Sequence, residues 1–477
     1  MPEQGSWLPR AALWVGLITA ARIAALWFNK TDLYVDESQY WFWGQRLDFG
    51  YYSKPPLIAW VIRTVTALAG SDAPFWIRLP GSLFHAATAL ILAALGARLF
   101  SARAAFWVAV SYVTLPMAAL GSLLISTDTI MAPFFAAALY FHFRSVETGR
   151  AVPAALAGLM VGMAFLAKYA AVYFLLGGAL AALFLPSMRI PFRNAILMAA
   201  VFALTILPNV LWNIGNDLST IEHTMDNVGW LRGQSWLGSL NPAGLGAFLA
   251  SQLAVLGPVL FAALIWGWAR REGAMGRALT WFSLPVLVIV SIQALLSGAY
   301  GNWAIAAYFA GVLIAVSLLL THAPAFLNLS LGINGLISLA LPVLTIIAPV
   351  PEWNGRPLLE RYLGQDDLSR QIITAARDAG ATVIVARDRD VLADLFRFRD
   401  GFDIYAPDPV GRPGNYYEQN FPLPRYDGPV LLVASRAPVC DGSRVAAFRQ
   451  FEVAGGAYER RGLAAFIVPA GCVDAKG

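Results

Sequence analysis

The feature that most constrains this chain is a succession of apolar segments from residue 11 to about residue 348. A spanning helix needs about 20 predominantly apolar residues. Segments 11–28, 77–97, 104–121, 127–143, 152–167, 170–186, 194–212, 246–268, 279–297, 303–320 and 327–348 meet or approach that length. Composition agrees: 58% of the 477 residues are hydrophobic and only 13% are charged, against roughly a quarter in a soluble chain. The pattern predicts a polytopic α-helical membrane protein with about eleven spans. The formal charge of +5 leaves no nucleic-acid footprint, because the arginines sit in short links and there is no lysine run or charged tail. Segment 11–28 follows Arg10 without a clear small-residue cleavage site, which predicts a retained helix rather than a signal peptide.

One further apolar run, 56–70, is short and contains Arg63, and whether it spans decides the topology after it. If it does not cross, the links 98–103, 144–151, 187–193 and 269–278 share the N-terminal side. They hold Arg98, Arg103, Arg144, Arg150, Arg189, Arg193, Arg270, Arg271 and Arg277 against Glu147 and Glu272. Asp32, Asp36, Glu37, Asp128, Asp217, Glu222 and Asp226 then face the other way. Arginine-bearing links stay cytoplasmic. Residues 30–75 are therefore expected to form one long external loop with interfacial helices, where Tyr40, Trp41, Phe42, Trp43, Trp60 and Trp76 suit the membrane boundary. The N-terminus is then cytoplasmic and the C-terminus external.

The link from about residue 213 to 246 is polar and Gly-rich, with Trp212 at its edge and Trp230 and Trp236 within it, and is expected to cover a lateral opening as a lid. After about Pro349 the pattern changes. Residues 365–379 and 388–398 read as helices, and 381–386, 402–406, 429–435 and 464–469 as short strands. Residues 1–349 form a transmembrane catalytic domain, and 350–477 a small external α/β domain. That domain contains Cys440 and Cys472, a candidate disulfide in an oxidising compartment.

Between Tyr34 and Leu57 the chain places Asp36 and Glu37, an aromatic run, Tyr51 and Tyr52, and Lys54 before Pro55-Pro56. An acid pair opening a helix is favoured by the helix dipole alone. Beside apolar surface the same pair can be tuned to accept a proton or to hold a metal. Asp128, in I-S-T-D-T-I, opens the fourth span, where N-capping with Ser126 and Thr127 is the simple role. It falls on the same face as Asp36, so the two are expected to converge on one cleft. Lys54 can snorkel to headgroups or hold a phosphate. Lys168 breaks a long apolar stretch, as an outer turn or within the membrane. His223, beside Glu222 and Asp226, is a weak metal-ligand candidate. Asn302 and Trp303 could bond and stack on a sugar, as could Tyr40 and His223. His85, His142 and His322 show no ligand spacing, and no nucleotide loop or zinc pattern is present.

At these residues the chain resembles the GT-C polyprenyl-phosphate-dependent glycosyltransferases, the bacterial relatives of protein O-mannosyltransferases and of the lipid A aminoarabinose transferase. The signatures are D-E-S-Q-Y at 36–40, G-Y-Y-S-K-P-P-L at 50–57, R-L-P-G-S at 78–82, S-T-D at 126–128, F-L-A-K-Y at 165–169, P-N-V-L-W-N at 208–213 and G-N-W-A-I-A-A-Y at 301–308. Relatives that modify lipid A tend to carry arginine where Gln39 stands here.

The resemblance implies transfer of a sugar from a polyprenyl-phosphate donor to an envelope glycolipid, polysaccharide or protein on the outer face of a bacterial inner membrane. Asp36, Glu37 and Asp128 match the family's acids, and Lys54 and Tyr51 its grip on the carrier phosphate, with Lys168 as a second cation. Asp36 is assigned as base, although Glu37 or Asp128 could exchange roles with it. The three acids are also the candidate ligands of a divalent metal. Single displacement would invert the anomeric centre. The rival class is a lipid-linked sugar flippase or transporter, which should place polar groups at the midplane of several helices. A non-catalytic assembly partner is the third reading.

Overall fold

The computed structural model describes residues 7–228, 240–271 and 273–473. By internal packing the chain divides into two units: 1–27, 53–61 and 78–342 in the first, and 28–52, 62–77 and 343–477 in the second. The second unit thus begins near the expected 349/350 boundary but also takes in most of the first external loop.

In the first unit the helices run α1 (Trp7–Trp27), then, after α2 (Val35–Gly44) and α3 (Leu57–Ala69) of the loop, α4 (Pro74–Leu99), α5 (Ala102–Val113), α6 (Pro116–Gly121), α7 (Thr127–Thr148), α8 (Ala151–Ala167), α9 (Val172–Phe184), α10 (Phe192–Gly215), α11 (Ser219–Val228), α12 (Pro242–Val255), α13 (Pro258–Arg270), α14 (Gly273–Leu296), α15 (Ala306–His322) and α16 (Pro324–Ile346). Among the described residues five helices are long and apolar enough to cross a membrane, or six if α12 and α13 form one span. The chain is a multi-pass membrane protein.

Two expected spans are not single helices. Segment 104–121 breaks between α5 and α6, where Pro116 starts a new helix at its favoured first position. Segment 246–268 becomes α12 and α13, bent by 110°. Gly257 sits at that bend with φ of +89°, and Pro258 follows it. Helix α3 has 13 residues, about 20 Å at 1.5 Å per residue, too short for a hydrocarbon core of about 30 Å.

Helix α15 is apolar all round and buried along nearly its whole length from Ala306 to Leu319, the pattern of a helix inside a bundle. Helices α8 and α10 approach through Gly158 and Gly162. A Cβ on the first would collide with the Met198 carbonyl, and one on the second would lie 2.6 Å from the Thr205 side chain. Four-residue spacing of glycines permits such close backbone contact. Arg98, ending α4, pairs with Glu147, near the end of α7, so the links 98–103 and 144–151 lie at one end of this unit.

The second unit holds a small α/β region. Short hairpin strands β1 (Glu352–Trp353) and β2 (Arg356–Pro357) precede α17 (Gln365–Asp378), β3 (Val383–Ala386), α18 (Arg389–Leu395), β4 (Asp403–Tyr405), α19 (Tyr416–Asn420), β5 (Pro429–Ala434), hairpin β6 (Val439–Cys440) and β7 (Ser443–Arg444), β8 (Arg449–Gln450) and β9 (Ala464–Pro469). The five-stranded sheet has order β4-β3-β5-β9-β8. Strand β3 is parallel to β4 and β5, while β9 runs antiparallel to β5 and β8. Its core joins Val383, Val385, Val430, Leu432, Phe466 and Val468, and Cys440 and Cys472 both pack against it.

Helix α2 corrects an expectation. It does not offer its aromatics to lipid, because every residue from Glu37 to Gly44 is buried. Phe42 stacks on Phe396 at 4.4 Å and also meets Tyr417 and Phe421. Trp43 lies parallel to Tyr51 at 4.6 Å. Aromatic faces on both sides of a short helix bury more area between protein layers than at a lipid boundary, and ring contacts add to that gain. Asp32, just before α2, accepts the Gln365 N–H (3.0 Å) at the start of α17. It thereby supplies one of the acceptors a helix N-terminus lacks.

Candidate functional site

In the first unit, three sequence signatures meet at Asp128. Ser126, not Asp128, caps α7, accepting the Thr129 N–H at 3.2 Å. That leaves the Asp128 carboxylate for other partners. The Lys168 ammonium donates to Oδ1 at 2.6 Å, and the Asn302 amide donates to Oδ2 at 2.9 Å. Lys168 is in the turn between α8 and the 3-10 segment Tyr169–Ala171, with extended backbone. Asn302 belongs to another 3-10 turn, Gly301–Ala304. The side chains of Lys168 and Asp128 are 17% and 8% exposed. An ion pair this sheltered is screened much less than a surface pair.

Each partner is itself held. Tyr169 donates to Asn209 Oδ1 (3.1 Å) and accepts from Asn213 (3.2 Å), joining F-L-A-K-Y to P-N-V-L-W-N. Tyr308 donates to Gln252 Oε1 (2.5 Å), and the Gln252 amide reaches the Gly301 carbonyl (3.3 Å), pinning the turn that carries Asn302. His85 lies between Tyr112 (3.1 Å) and Thr129 (3.3 Å), the residue after Asp128, although its spacing announced no role. Trp303 is half-buried, edge-on to Tyr300.

Lys54 is half-buried in the same unit, as is His223 on α11. Of the expected lid, residues 229–239, including Trp230 and Trp236, lie outside the described residues, as does Glu272. Arg22 of α1 went unremarked in the sequence. It is 3% exposed and donates to the Val113 carbonyl (2.6 Å), Ser338 Oγ (2.7 Å), Ser122 Oγ (3.2 Å) and the Ala118 carbonyl (3.4 Å). Its guanidinium fills the break between α5 and α6, capping the negative end of α5. A lone arginine in an apolar run was the signal available.

The second unit holds the other expected residues. Glu37 is buried and accepts the Tyr34 N–H (2.9 Å), closing a capping box at the start of α2. Asp36 takes the Arg389 guanidinium: Nη2 donates to Oδ1 at 2.5 Å. The same guanidinium donates through Nε to Gln39 Oε1 at 2.8 Å. Burial works against the charge on Arg389, but Asp36 outweighs it and holds the group above its ordinary range. Tyr40 is buried against Trp43 at 5.3 Å. The Tyr51 hydroxyl lies 3.0 Å from the carbonyls of both Trp43 and Arg46 and accepts the Asp48 N–H at 3.1 Å. That oxygen is engaged in tying the loop together. Burial raises the Tyr51 phenol well above its usual range.

Asp394 of α18 is fully buried, bonded to Ser38 (3.0 Å), Ser369 (3.1 Å) and Arg397 (2.9 Å). Burial raises its pKa, against the opposing pull of Arg397. Burial, then the charges of Asp366 and Asp394, push Asp32 up to about 6. Among the described residues no three His, Cys, Asp or Glu side chains gather to hold one metal ion.

A profile for dolichyl-phosphate-mannose-protein mannosyltransferases matches residues 53–212, a stretch that includes Lys54, Asp128 and Lys168. Lipid A galacturonosyltransferase RgtD of Rhizobium johnstonii is 42% identical over 476 residues, covering 98% of this chain and 99% of RgtD. This chain belongs to the GT-C family of polyprenyl-phosphate-dependent glycosyltransferases. Like other members it is a membrane-embedded glycosyltransferase acting on the cell envelope. The fold agrees. ArnT from Cupriavidus metallidurans superposes with a TM-score of 0.63 in the apo state, at 13% identity, covering 98% of this chain and all of ArnT. Its complex with undecaprenyl phosphate gives 0.62 over 95% of this chain and 98% of ArnT.

Proposed function

We propose that this glycosyltransferase moves a uronic acid sugar, of the galacturonosyl type, from a polyprenyl phosphate to a lipid A-like glycolipid. RgtD is named for that acceptor and sugar and matches the chain end to end. The observation that carries a catalytic reading is the meeting of S-T-D, F-L-A-K-Y and G-N-W at one carboxylate, Asp128. Three signatures this far apart in sequence need not touch for the fold alone. The reaction is placed on the outer face of a bacterial inner membrane, with about eleven crossings, a cytoplasmic N-terminus and an external C-terminal domain. Pairing of Arg98 with Glu147 and of Asp128 with Lys168 supports that alternation.

Asp36 takes the proton of the acceptor hydroxyl as its oxygen attacks the anomeric carbon. The bond from that carbon to the phosphate oxygen breaks, and its electron pair stays on the phosphate. A positioned base contributes roughly 10²–10⁴-fold. Lys54 stabilises the departing phosphate, as a fixed cation in a sheltered site does without reorganising. Asp128, oriented by Lys168 and Asn302, places the acceptor or the sugar. One displacement inverts the anomeric centre.

The test uses purified protein in detergent with labelled polyprenyl-phosphate uronic sugar and lipid A. Transfer with inversion, lost in Asp36→Asn and Asp128→Asn proteins that still fold, is expected. Absence of turnover with intact folding would overturn the proposed pairing of uronic sugar donor and lipid A acceptor. Turnover only with neutral sugars would remove the donor assignment.

A further inference from the structure

Helix α18 grips α2 at successive points. Arg389 reaches Asp36 and Gln39, Asp394 accepts from Ser38, and Phe396 stacks on Phe42. The first of these contacts differs in kind from the others. Asp36 and Gln39 are three residues apart, so they stand on neighbouring turns of one helical face. The guanidinium spans them as a fork, Nη2 on the carboxylate and Nε on the amide oxygen, a planar geometry that a lysine point charge cannot reproduce. Gln39 is 1% exposed and fixes the arginine from behind. The Arg389 and Asp36 side chains remain 39% and 42% exposed. Exposed pairs add little to stability, so the fork is poorly explained as a brace, while Phe42 on Phe396 and the buried Ser38–Asp394 bond already serve that purpose.

We infer that Arg389 is a positioning residue for Asp36, and that the C-terminal domain is thereby part of the catalytic apparatus. The inference rests on the reading of Asp36 as the base. One carboxylate oxygen is held by Nη2, which sets the rotamer and leaves the second oxygen to receive the acceptor proton. Displacement of a catalytic group by about 1 Å can cost on the order of 10²-fold in rate.

The experiment compares full-length wild type, R389A, R389K, Q39A and D36N in detergent, with polyprenyl-phosphate-linked sugar as donor. R389A is expected to lose about 10²-fold in kcat, with donor KM and apparent Tm near wild type. R389K should recover part of the loss. Millimolar guanidinium or ethylguanidinium should restore R389A saturably and leave D36N inactive. Q39A, which keeps the ion pair, should lose roughly tenfold and serves if R389A does not accumulate. An inactive D36N beside a fully active R389A overturns the inference. So does an R389A defect that follows Tm and ignores added guanidinium. An active D36N instead overturns the assignment of Asp36 as base.

Discussion

The ion pair beneath Asn302 gives the sharpest quantitative test of the first unit. Lys168 and Asp128 approach to 2.6 Å with little exposure. At an effective dielectric of about 20, Coulomb's law gives a gross attraction of about 6 kcal/mol at this separation. Much of that offsets desolvation, so the net worth of the pair is far smaller, but removing one partner strands the other charge. Lys168→Met leaves the carboxylate with only the Asn302 amide and the α7 N-terminus, and is expected to destabilise by about 3–5 kcal/mol. Asp128→Asn strands the ammonium at a similar cost. The double variant strands neither charge, and its new amide can still accept from Asn302. Its loss should be only about 1 kcal/mol, roughly that of one ordinary hydrogen bond. The coupling energy of the cycle is therefore large and favourable. The assay is thermal unfolding of the four forms in one detergent, followed by tryptophan fluorescence. Single variants should melt roughly 6–20 °C below wild type, at about 2–4 °C per kcal/mol, and the double variant within a few degrees of it. Raising salt from 0.1 to 1 M should barely change the coupling, because sheltered pairs are weakly screened. Additive losses in the double variant, or a coupling erased by salt, would refute the reasoning.

Stability of the second unit should fall as pH rises from about 4 to 6. The folded-state value for Asp32, about 6, lies above the ordinary 3.8, so the native form holds this proton more tightly. The stabilisation is fully present below about 4 and lost above about 6, and a separation of this size corresponds to about 3 kcal/mol. Asp32→Asn should flatten the slope of urea midpoint against pH, and an unchanged slope would exclude Asp32 as its source. Arg22→Met should leave buried carbonyls at the α5–α6 break unsatisfied and lower stability by about 1–3 kcal/mol, read as thermal midpoint in detergent. An unchanged midpoint would show that the break holds itself. Burial and the adjacent Cys472 raise the Cys440 thiol to about 11, so thiol modification near neutral pH should be slow. Both thiols are free in the structure; in membranes whose C-terminal domain faces an oxidising compartment, the expected bridge should show as a 2 Da loss on the joined Cys440 and Cys472 peptides. Free, alkylatable thiols there would rule the bridge out.

The helical segments and the strands of the C-terminal domain were legible because hydrophobic length and period are local properties. The strands expected at 381–386, 402–406, 429–435 and 464–469 each contain an observed one. The breaks at Pro116 and Gly257-Pro258 also carry a local signal, because proline and a Gly-Pro pair interrupt an apolar helical run. The burial of α2 was not legible. Its aromatics suit a lipid boundary and a protein interior equally well, and the rings that cover Phe42 lie more than 350 residues away. Arg389, in R-D-R-D, looks like any solvated charge run. His85 and Arg22 carry no spacing signal, since their partners come from other helices and from backbone carbonyls.

Sequence alone determined the membrane-protein class, the α/β character of the C-terminal region and the family. Those follow from hydrophobic length, from strand and helix period and from ordered signatures. Only the tertiary structure decided which groups touch: Lys168 and Asn302 on Asp128, Arg389 and Gln39 around Asp36, and the Tyr51 hydroxyl on backbone. Partner choice depends on distances of a few ångströms between residues remote in the chain, and no local pattern encodes those.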